Sequence, residues 1–350
     1  MADQIDDIIS RKKEHLELCK TDEVKFKEKT SGFEQFEFVH AALTEVQIDK
    51  IDLSKKFFSK KVSYPFLISC MTGGTTEGEN INFQLAEVAS ELKIPLGLGS
   101  LRFALETNSY DEHFKQIRNA AKTVPLLGNI GGAQIIKMKS FKPLFQLLDK
   151  VEADVLVVHL NPLQELLQRN GEANFSGIRR SIEKLVKQSP TPIIVKEVGS
   201  GISKKSAQTL LELGVDGIDV AGAGGTSWAG VELLRNKESN KNPFWDWGLP
   251  TSFCIKTAAE LKKKNKFILI GSGGINSSFD AAKALALGAD FTASARIILQ
   301  TLVKDQQAGV ISLITSWFED VKRIMFLTDS QNLRSFGKEK LILKKDYFDL

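Results

Sequence analysis

The sequence predicts an α/β fold, a closed (β/α)8 TIM barrel, and three observations support this prediction. Short apolar segments rich in valine, isoleucine and leucine alternate with amphipathic helical stretches from about Pro65 onward. Near-continuous apolar strands of this kind are typical of a parallel sheet that is covered on both faces. There are eight such segments, the number that a barrel requires. No domain break separates them, so we expect a single domain over residues 1–350.

The predicted strands follow one another at intervals that leave room for a helix. They cover residues 65–70, 95–99, 125–131, 154–160, 192–198, 217–224, 266–274 and 291–296. Helices are predicted over 82–93, 206–214 and 278–288, and the last two end in Gly214 and Gly288, which suit the position just after a helix. A doubly wound open sheet is the alternative, but eight units without a break favour closure.

Every predicted strand is followed by a Gly-rich or polar cluster. In chain order these are CMTGG, GSLR, GNIGG, HLNPLQE, KEVGSG, GAGGTS, GSGGI and SAR. The carboxyl ends of all strands of a barrel form one face, and that face carries the chemistry. The clusters are therefore predicted to converge on a single site.

Three segments lie outside the regular alternation. Residues 1–64 precede the barrel as an N-terminal helix followed by an irregular or β segment. Residues 225–250 are predicted to form a long loop after the sixth strand, either functional or mobile. The tail from Val310 has the pattern of an amphipathic helix.

Composition and charge narrow the class of partner. The chain has 350 residues, 42% hydrophobic and 26% charged, and 47 Lys+Arg against 43 Asp+Glu leave a formal charge of only +4. Neither a nucleic acid nor a membrane is therefore an expected partner. The three cysteines are widely spaced, and the acidic N-terminus has no apolar signal region. We expect a cytoplasmic protein.

The clusters after the last strands are typical of a phosphate site. GSGGI (271–275) and SAR (294–296) would follow strands seven and eight, where barrels commonly bind phosphate. Glycines let backbone N–H groups approach phosphate oxygens. A plain turn is the alternative for GSGGI alone, but Gly224, Gly225 and Thr226 add a second Gly-rich end. Together they favour a phosphate monoester, with FMN the commonest large occupant.

The cluster HLNPLQE (159–165) predicts a polar ligand or a metal. Strand alternation places His159 and Asn161 on one side, and Gln164 and Glu165 follow within a turn. An imidazole, two amides and a carboxylate are costly to bury unless they meet a polar partner. Because Glu165 is the only carboxylate among them, the cluster suits Mg²⁺ that is held jointly with substrate phosphates.

The segment RKKEH (11–15) is open to two interpretations. On a helix Arg11 and His15 share a face, with Lys12 beside it. This face is either a clamp for an anion or a solvated surface whose charge Glu14 and Glu17 compensate. The spacing alone favours the solvated surface.

Taken together, the motifs resemble the type 2 isopentenyl-diphosphate isomerases over nearly the whole chain and in the family's order. The motifs that carry the resemblance are RKKEH (11–15), MTGG (71–74), GSLR (99–102), GNIGG (128–132), HLNPLQE (159–165), KEVG (196–199), GAGGTSW (222–228) and GSGGI (271–275). The sequence departs from the family after Trp228, in AGVELLRN, where a basic residue more often stands beside VE.

The resemblance implies an enzyme of isoprenoid biosynthesis that interconverts isopentenyl and dimethylallyl diphosphate. It implies FMN that must be reduced, with NADPH as the reductant, Mg²⁺, and a homo-oligomer, tetrameric or octameric. No net redox change occurs. By resemblance and by elimination of side-chain acids, the reduced flavin itself, at N5, would act as acid and base.

The resemblance also assigns residues. FMN would contact Met71, Thr72, Gly73, Ser100, Asn129, Lys196 and Thr226, with Gly273, Gly274, Ala295 and Arg296 at its phosphate. The substrate would be surrounded by Arg11, Lys12, His15, Ser100, Arg102, His159, Asn161 and Gln164. Glu165 would hold Mg²⁺, and Gln164, His159 and Lys196 would be catalytic. Residues 1–64 would thus contribute to the substrate site.

Two other functions compete with this interpretation. An FMN-dependent barrel oxidoreductase of the hydroxy-acid oxidase or dihydroorotate dehydrogenase type would share the flavin half of the site. It would need a His or Cys base at the flavin and has no use for HLNPLQE with a metal. A flavin-binding regulatory protein without turnover would be expected to lose His159, Gln164 and Glu165, which are all present.

Overall fold

Eight parallel strands form a closed barrel in the computed structural model, which describes residues 2–107, 111–238 and 241–347. Three short strands come first, Phe36–Phe38 (β1), Lys55–Phe57 (β2) and Lys60–Val62 (β3). The barrel strands are Phe66–Ile68 (β4), Leu96–Ser100 (β5), Leu126–Gly131 (β6), Val155–Leu160 (β7), Ile193–Glu197 (β8), Gly217–Asp219 (β9), Ile268–Ser272 (β10) and Phe291–Ser294 (β11). Leu341–Leu343 (β12) follows near the end of the chain.

The barrel confirms the predicted fold class. Its strands pair in chain order from β4 to β11, and β11 pairs with β4 to close the sheet. Seven barrel strands lie wholly inside a predicted segment, and β5 extends one residue beyond it, to Ser100. All their carboxyl ends consequently share one face, as the sequence predicted.

Helices pack around the barrel and over the carboxyl ends of its strands. They are Ala2–Lys20 (α1), Thr76–Leu92 (α2), Arg102–Thr107 (α3), Asp111–Ala120 (α4), Gly132–Lys137 (α5), Lys142–Val151 (α6), Pro162–Leu167 (α7), Ile178–Gln188 (α8), Lys204–Glu212 (α9), Trp228–Arg235 (α10), Thr251–Ala259 (α11), Ser278–Ala286 (α12) and Arg296–Leu327 (α13). Short 3-10 turns lie at Phe33–Gln35, Ile48–Lys50, Glu260–Lys263, Lys338–Lys340 and Lys344–Asp346. None of the helices in the described part of the chain is long and apolar enough to cross a membrane.

Two predicted helix ends are confirmed. Gly214 has φ +88° and Gly288 has φ +110°, each directly after the C-cap residue of its helix. This left-handed backbone is strained for any residue with a Cβ, which explains glycine at both positions.

The flanking segments close the barrel and extend it. β2 and β3 form a hairpin whose Phe57 packs edge-to-face on Phe291, with ring centroids 5.0 Å apart, inside the barrel. β1, which precedes the barrel strands, pairs with β12, which follows them, in a small antiparallel sheet. α13 starts before the predicted tail helix, at Arg296, and its backbone is non-helical at Gln306. The predicted helix from Val310 is the part after this break.

The prediction of a loop over 225–250 is wrong in part, because α10 lies within it. Ser227 caps this helix by accepting a hydrogen bond from the Gly230 N–H at 2.9 Å. Ala229, Val231 and Leu233 are buried. The Gly, Asn and Trp residues around it obscured this short helix in the sequence, and it is buried against α7 and α1.

Candidate active site

One cavity of about 260 Å³ lies at the carboxyl ends of the barrel strands, and residues at or just after all eight strand ends line it together with α1. The structure places every predicted site residue on its wall. These are Arg11, Lys12, His15, Met71, Thr72, Gly73, Ser100, Arg102, Asn129, His159, Asn161, Gln164, Glu165, Lys196, Thr226, Gly273, Gly274, Ala295 and Arg296. The polar clusters predicted to converge do so.

The Gly-rich side of the cavity is shaped for close approach of an anion. Gly273 and Gly274 have φ of +95° and +71°, and a Cβ on Gly273 would clash with the Gly222 carbonyl. Arg296 is buried, and its Nη1 lies 2.7 Å from Asp22 Oδ1. Its Nε, however, has no hydrogen-bond partner among the described residues. An unpaired buried guanidinium donor beside a glycine backbone that an anion could approach closely fits a phosphate monoester.

The floor of the cavity carries a buried cation. Lys196 Nζ lies 3.4 Å from Asp219 Oδ2 and donates a hydrogen bond to the Glu197 carbonyl at 2.9 Å. Burial, and then the Lys196 charge, lower the pKa of His159 to about 4. The Asn129 amide oxygen lies 2.9 Å from His159 Nδ1, so that nitrogen carries the proton of the neutral ring.

Within HLNPLQE, Asn161, Gln164 and Glu165 form one hydrogen-bonded group at the start of α7. Asn161 Nδ2 donates to Gln164 Oε1 at 3.0 Å and to Glu165 Oε1 at 3.1 Å. The Glu172 N–H donates to Glu165 Oε2 at 2.7 Å. Asn161 Oδ1 is buried without a partner among the described residues. An orphaned amide oxygen and a nearby carboxylate are the oxygen ligands that Mg²⁺ prefers.

A complete metal cage is absent from the described residues: no three His, Cys, Asp or Glu side chains there are grouped to hold an ion. A single carboxylate, Glu165, instead faces a cavity that also holds Arg102. This donor set fits a metal that shares its coordination with a phosphate-bearing ligand.

Helix α1 lies across the mouth of the cavity, which resolves the two interpretations of RKKEH in favour of a cavity-facing helix. Lys12 Nζ donates a hydrogen bond to the Gly73 carbonyl at 2.5 Å. Burial, and then the charges of Arg11 and Arg102, lower the pKa of Lys12 to about 8. Three cations therefore share one wall. Arg102 is paired with Glu106 at 2.8 Å and with Glu172 at 3.5 Å. An anionic ligand would offset the remaining positive charge of Arg11 and Lys12.

The comparisons with known proteins agree on one family. The model described as FMN-dependent dehydrogenase matches residues 7–118 and 158–343. An isopentenyl-diphosphate delta-isomerase of Pelodictyon phaeoclathratiforme is 41% identical over 349 residues, covering 95% of this chain and 97% of the relative. One from Pyrococcus abyssi is 39% identical over 346 residues, covering 96% and 92%. The chain belongs to the FMN-dependent isopentenyl-diphosphate delta-isomerases. The predicted resemblance to the type 2 isomerases is confirmed.

Solved structures share the barrel fold of this isomerase. The flavin-binding domain of baker's yeast flavocytochrome b2 superposes with a TM-score of 0.69 at 19% identity, over 92% of this chain and 80% of that one. A mandelate oxidase gives 0.64 at 16% identity, over 92% of each. At these identities the likeness concerns the fold alone.

One residue of this isomerase site was missed by the sequence analysis. Glu232 of α10 is 0% exposed, and its Oε1 lies 2.8 Å from His15 Nε2 and 3.1 Å from Gln164 Nε2. Its Oε2 lies 2.6 Å from Arg235 Nη1. Burial acts to raise the pKa of Glu232, but the donors from His15, Gln164 and Arg235 outweigh it and lower the pKa. A carboxylate within the apolar run AGVELL was the signal that could have found it.

Proposed function

We propose that this protein interconverts isopentenyl diphosphate and dimethylallyl diphosphate, using reduced FMN and Mg²⁺. One observation carries the proposal: a single cavity is lined on one side by a Gly-rich wall with Arg296 and on another by a wall with three cationic side chains and Glu165. The Gly-rich wall suits a phosphate monoester, and the wall of Arg11, Lys12, Arg102 and Glu165 suits a diphosphate with its metal. The names of relatives at about 40% identity support the same activity.

The flavin half of the cavity would hold FMN. Gly273, Gly274, Ala295 and Arg296 would surround the phosphate, because the Arg296 Nε lacks a partner among the described residues. Lys196 would face the ring system as a compensating cation. The further predicted contacts are Met71, Thr72, Gly73, Ser100, Asn129 and Thr226. When bound and reduced, with NADPH as the proposed reductant, FMN supplies the acid and base for an allylic proton shift.

The diphosphate half would be built by α1 and the loops after β5 and β7. Arg11, Lys12 and Arg102 supply cationic donors, each worth about 1.5–3 kcal/mol when charge-assisted. Glu165 would hold Mg²⁺ on the diphosphate, with the Asn161 Oδ1 available as a further oxygen.

Exclusion of water is the contribution of the helix across the mouth. An allylic proton shift passes through a cation-like state that water would quench. The Lys12 bond to Gly73 and the His15 bond to Glu232 fasten α1 to both sides of the cavity. Closing these contacts over the substrate would keep its hydrocarbon part dry.

Gln164 and His159 would act as hydrogen-bonding groups beside the reacting carbons. The low pKa of His159 keeps its ring neutral near pH 7, so it is a weak acid for a plain alkene. Glu232 holds the Gln164 amide from behind, which fixes where that amide points. These properties support a proton shuttle other than a side chain.

An oxidoreductase of the hydroxy-acid oxidase type is less well supported. It would need a basic side chain near the flavin, and His159 with a pKa of about 4 is a poor proton acceptor at pH 7. Cys70 also lines the cavity, but burial raises its pKa to about 12, so it is a protonated thiol.

Three broader expectations stay proposals. We propose that residues 1–350 act as one domain in which residues 1–64 contribute to the substrate site through α1. We also propose a cytoplasmic homo-oligomer of four or eight chains. The substrate is a small molecule, with neither nucleic acid nor membrane as a partner.

The test is a direct assay of isomerisation. Protein loaded with FMN is reduced anaerobically, supplied with Mg²⁺ and isopentenyl diphosphate, and assayed for dimethylallyl diphosphate. We expect product only with reduced FMN and Mg²⁺ together. Absence of product from flavin-loaded, reduced protein at saturating Mg²⁺ would overturn the proposed function.

A further inference from the structure

A layer of polar side chains crosses the barrel beneath the cavity. His159, Lys196 and Asp219 stand at equivalent positions on the three neighbouring strands β7, β8 and β9: His159 pairs with Lys196 in register, and Lys196 pairs with Asp219. His159 and Lys196 line the cavity, whereas Asp219 is 1% exposed and does not. The carboxylate therefore touches nothing in the cavity directly and can act on a ligand there only through its charge.

Asp219 is held by contacts from both adjacent strands. Its Oδ2 lies 3.4 Å from Lys196 Nζ on β8. Its Oδ1 accepts a hydrogen bond from Ser272 Oγ on β10 at 2.5 Å and another from the Ala221 N–H at 3.3 Å. Ser272 directly precedes Gly273 and Gly274. A buried carboxylate is costly, so a position that retains one has either a structural or an electrostatic use for it.

We propose that the buried Asp219 carboxylate, through its own charge behind Lys196, offsets part of the positive field that Lys196 exerts on the flavin and thereby lowers the reduction potential of bound FMN. This inference rests on the proposed FMN site. Two-electron, one-proton reduction of FMN at neutral pH adds one negative charge to the isoalloxazine. Lys196 stabilises that charge, and Asp219 offsets part of the stabilisation from the next strand. Asp219 therefore keeps the potential of the flavin lower than Lys196 alone would set it.

The substitution Asp219→Asn tests this proposal because it removes the charge and keeps the shape. The amide oxygen of the substituted side chain can still accept from Ser272, and the side chain keeps its size. FMN-loaded protein is reduced with dithionite at fixed pH against a reference dye, and the two-electron potential is read from the absorbance. We expect the reduced-to-oxidised ratio at a given potential to rise at least tenfold, a positive shift of about 30 mV.

Two further variants provide a control and a shift of the FMN potential in the opposite direction. Asp216 directly precedes β9, at the amino ends of the barrel strands and away from the cavity. Its Oδ2 accepts a hydrogen bond from the Ile193 N–H at 2.8 Å. Asp216→Asn should leave the FMN potential unchanged. Lys196→Gln removes the cation itself and should shift the potential in the negative direction.

The outcomes separate this inference from the proposed function. If Asp219→Asn binds FMN and has the wild-type potential, the inference is overturned while the isomerase proposal stands. If the wild-type protein binds no FMN, the proposed function fails first. Should Asp219→Asn not fold because Lys196 is left uncompensated, the double variant with Lys196→Gln removes both charges together. Its potential should then lie above that of Lys196→Gln alone, and equality would overturn the inference.

Discussion

His15 Nε2 lies 2.8 Å from Glu232 Oε1, so a residue of the N-terminal helix is bonded to a fully buried carboxylate on α10. The same oxygen accepts a hydrogen bond from Gln164 at 3.1 Å. One atom therefore connects the helix that covers the cavity with the amide at its wall. We therefore predict that the position of α1 and the orientation of Gln164 depend on each other.

Replacing Glu232 tests this coupling. In Glu232→Gln, Arg235 loses its buried charged partner, and one of the two groups that contact Oε1, His15 or Gln164, loses its acceptor. Breaking a buried ion pair costs roughly 3–5 kcal/mol of stability. We expect a higher KM and a lower kcat, with FMN affinity nearly unchanged when it is measured by flavin fluorescence. Glu14→Gln is the matched control, because it removes only the exposed contact to Arg235. An equal loss of FMN affinity and of turnover would contradict the coupling.

The metal role of Glu165 predicts a changed Mg²⁺ requirement. Glu165→Ala should raise the Mg²⁺ concentration for half-maximal activity sharply and cut turnover, because the one carboxylate at this wall is lost. FMN binding should stay close to wild type. Glu17→Gln, on the exposed end of α1, controls for loss of a surface charge. If activity of the Glu165→Ala enzyme depended on Mg²⁺ concentration as in the wild type, Glu165 would not be a metal ligand.

The basic face of α1 predicts a loss of substrate affinity. Arg11→Ala and Lys12→Ala should each raise KM roughly tenfold or more, from about 1.5–3 kcal/mol per charge-assisted bond. Lys13→Ala is the matched control, since Lys13 is exposed and does not line the cavity. Steady-state kinetics measure these effects, and deletion of residues 1–20 should also weaken substrate binding more than flavin binding. Unaltered kinetics would show that RKKEH is a solvated helix face that does not bind the substrate.

Lys12 also predicts a pH dependence of substrate binding. Its pKa of about 8 in the free enzyme means that the ammonium is charged below pH 8 and neutral above it. KM should therefore be level below about pH 8 and rise as the pH increases beyond it. In Lys12→Arg the guanidinium stays charged, so this rise should disappear. A KM profile that rises equally in both enzymes would assign the titration to another group.

The sequence predicted the barrel and its site because their signals are local. Each strand is a short apolar run, and each polar cluster directly follows one, so closure of the sheet is enough to bring His159 and Gly273 to one cavity. Contacts between distant positions carry no such signal. His15 and Glu232 are 217 positions apart, and nothing in either segment indicates the other. α10 itself depends on the Ser227 cap and on burial that only the folded barrel provides.

In the proposed reaction reduced FMN acts without being consumed. The most direct measurement records flavin absorbance alongside product formation under anaerobic conditions. We predict no activity with oxidised FMN in air, activity after reduction with NADPH or dithionite, and a flavin spectrum that stays reduced over many turnovers. Oxidation of one flavin for each product formed would instead identify an oxidoreductase, and full activity after removal of FMN would contradict the account altogether.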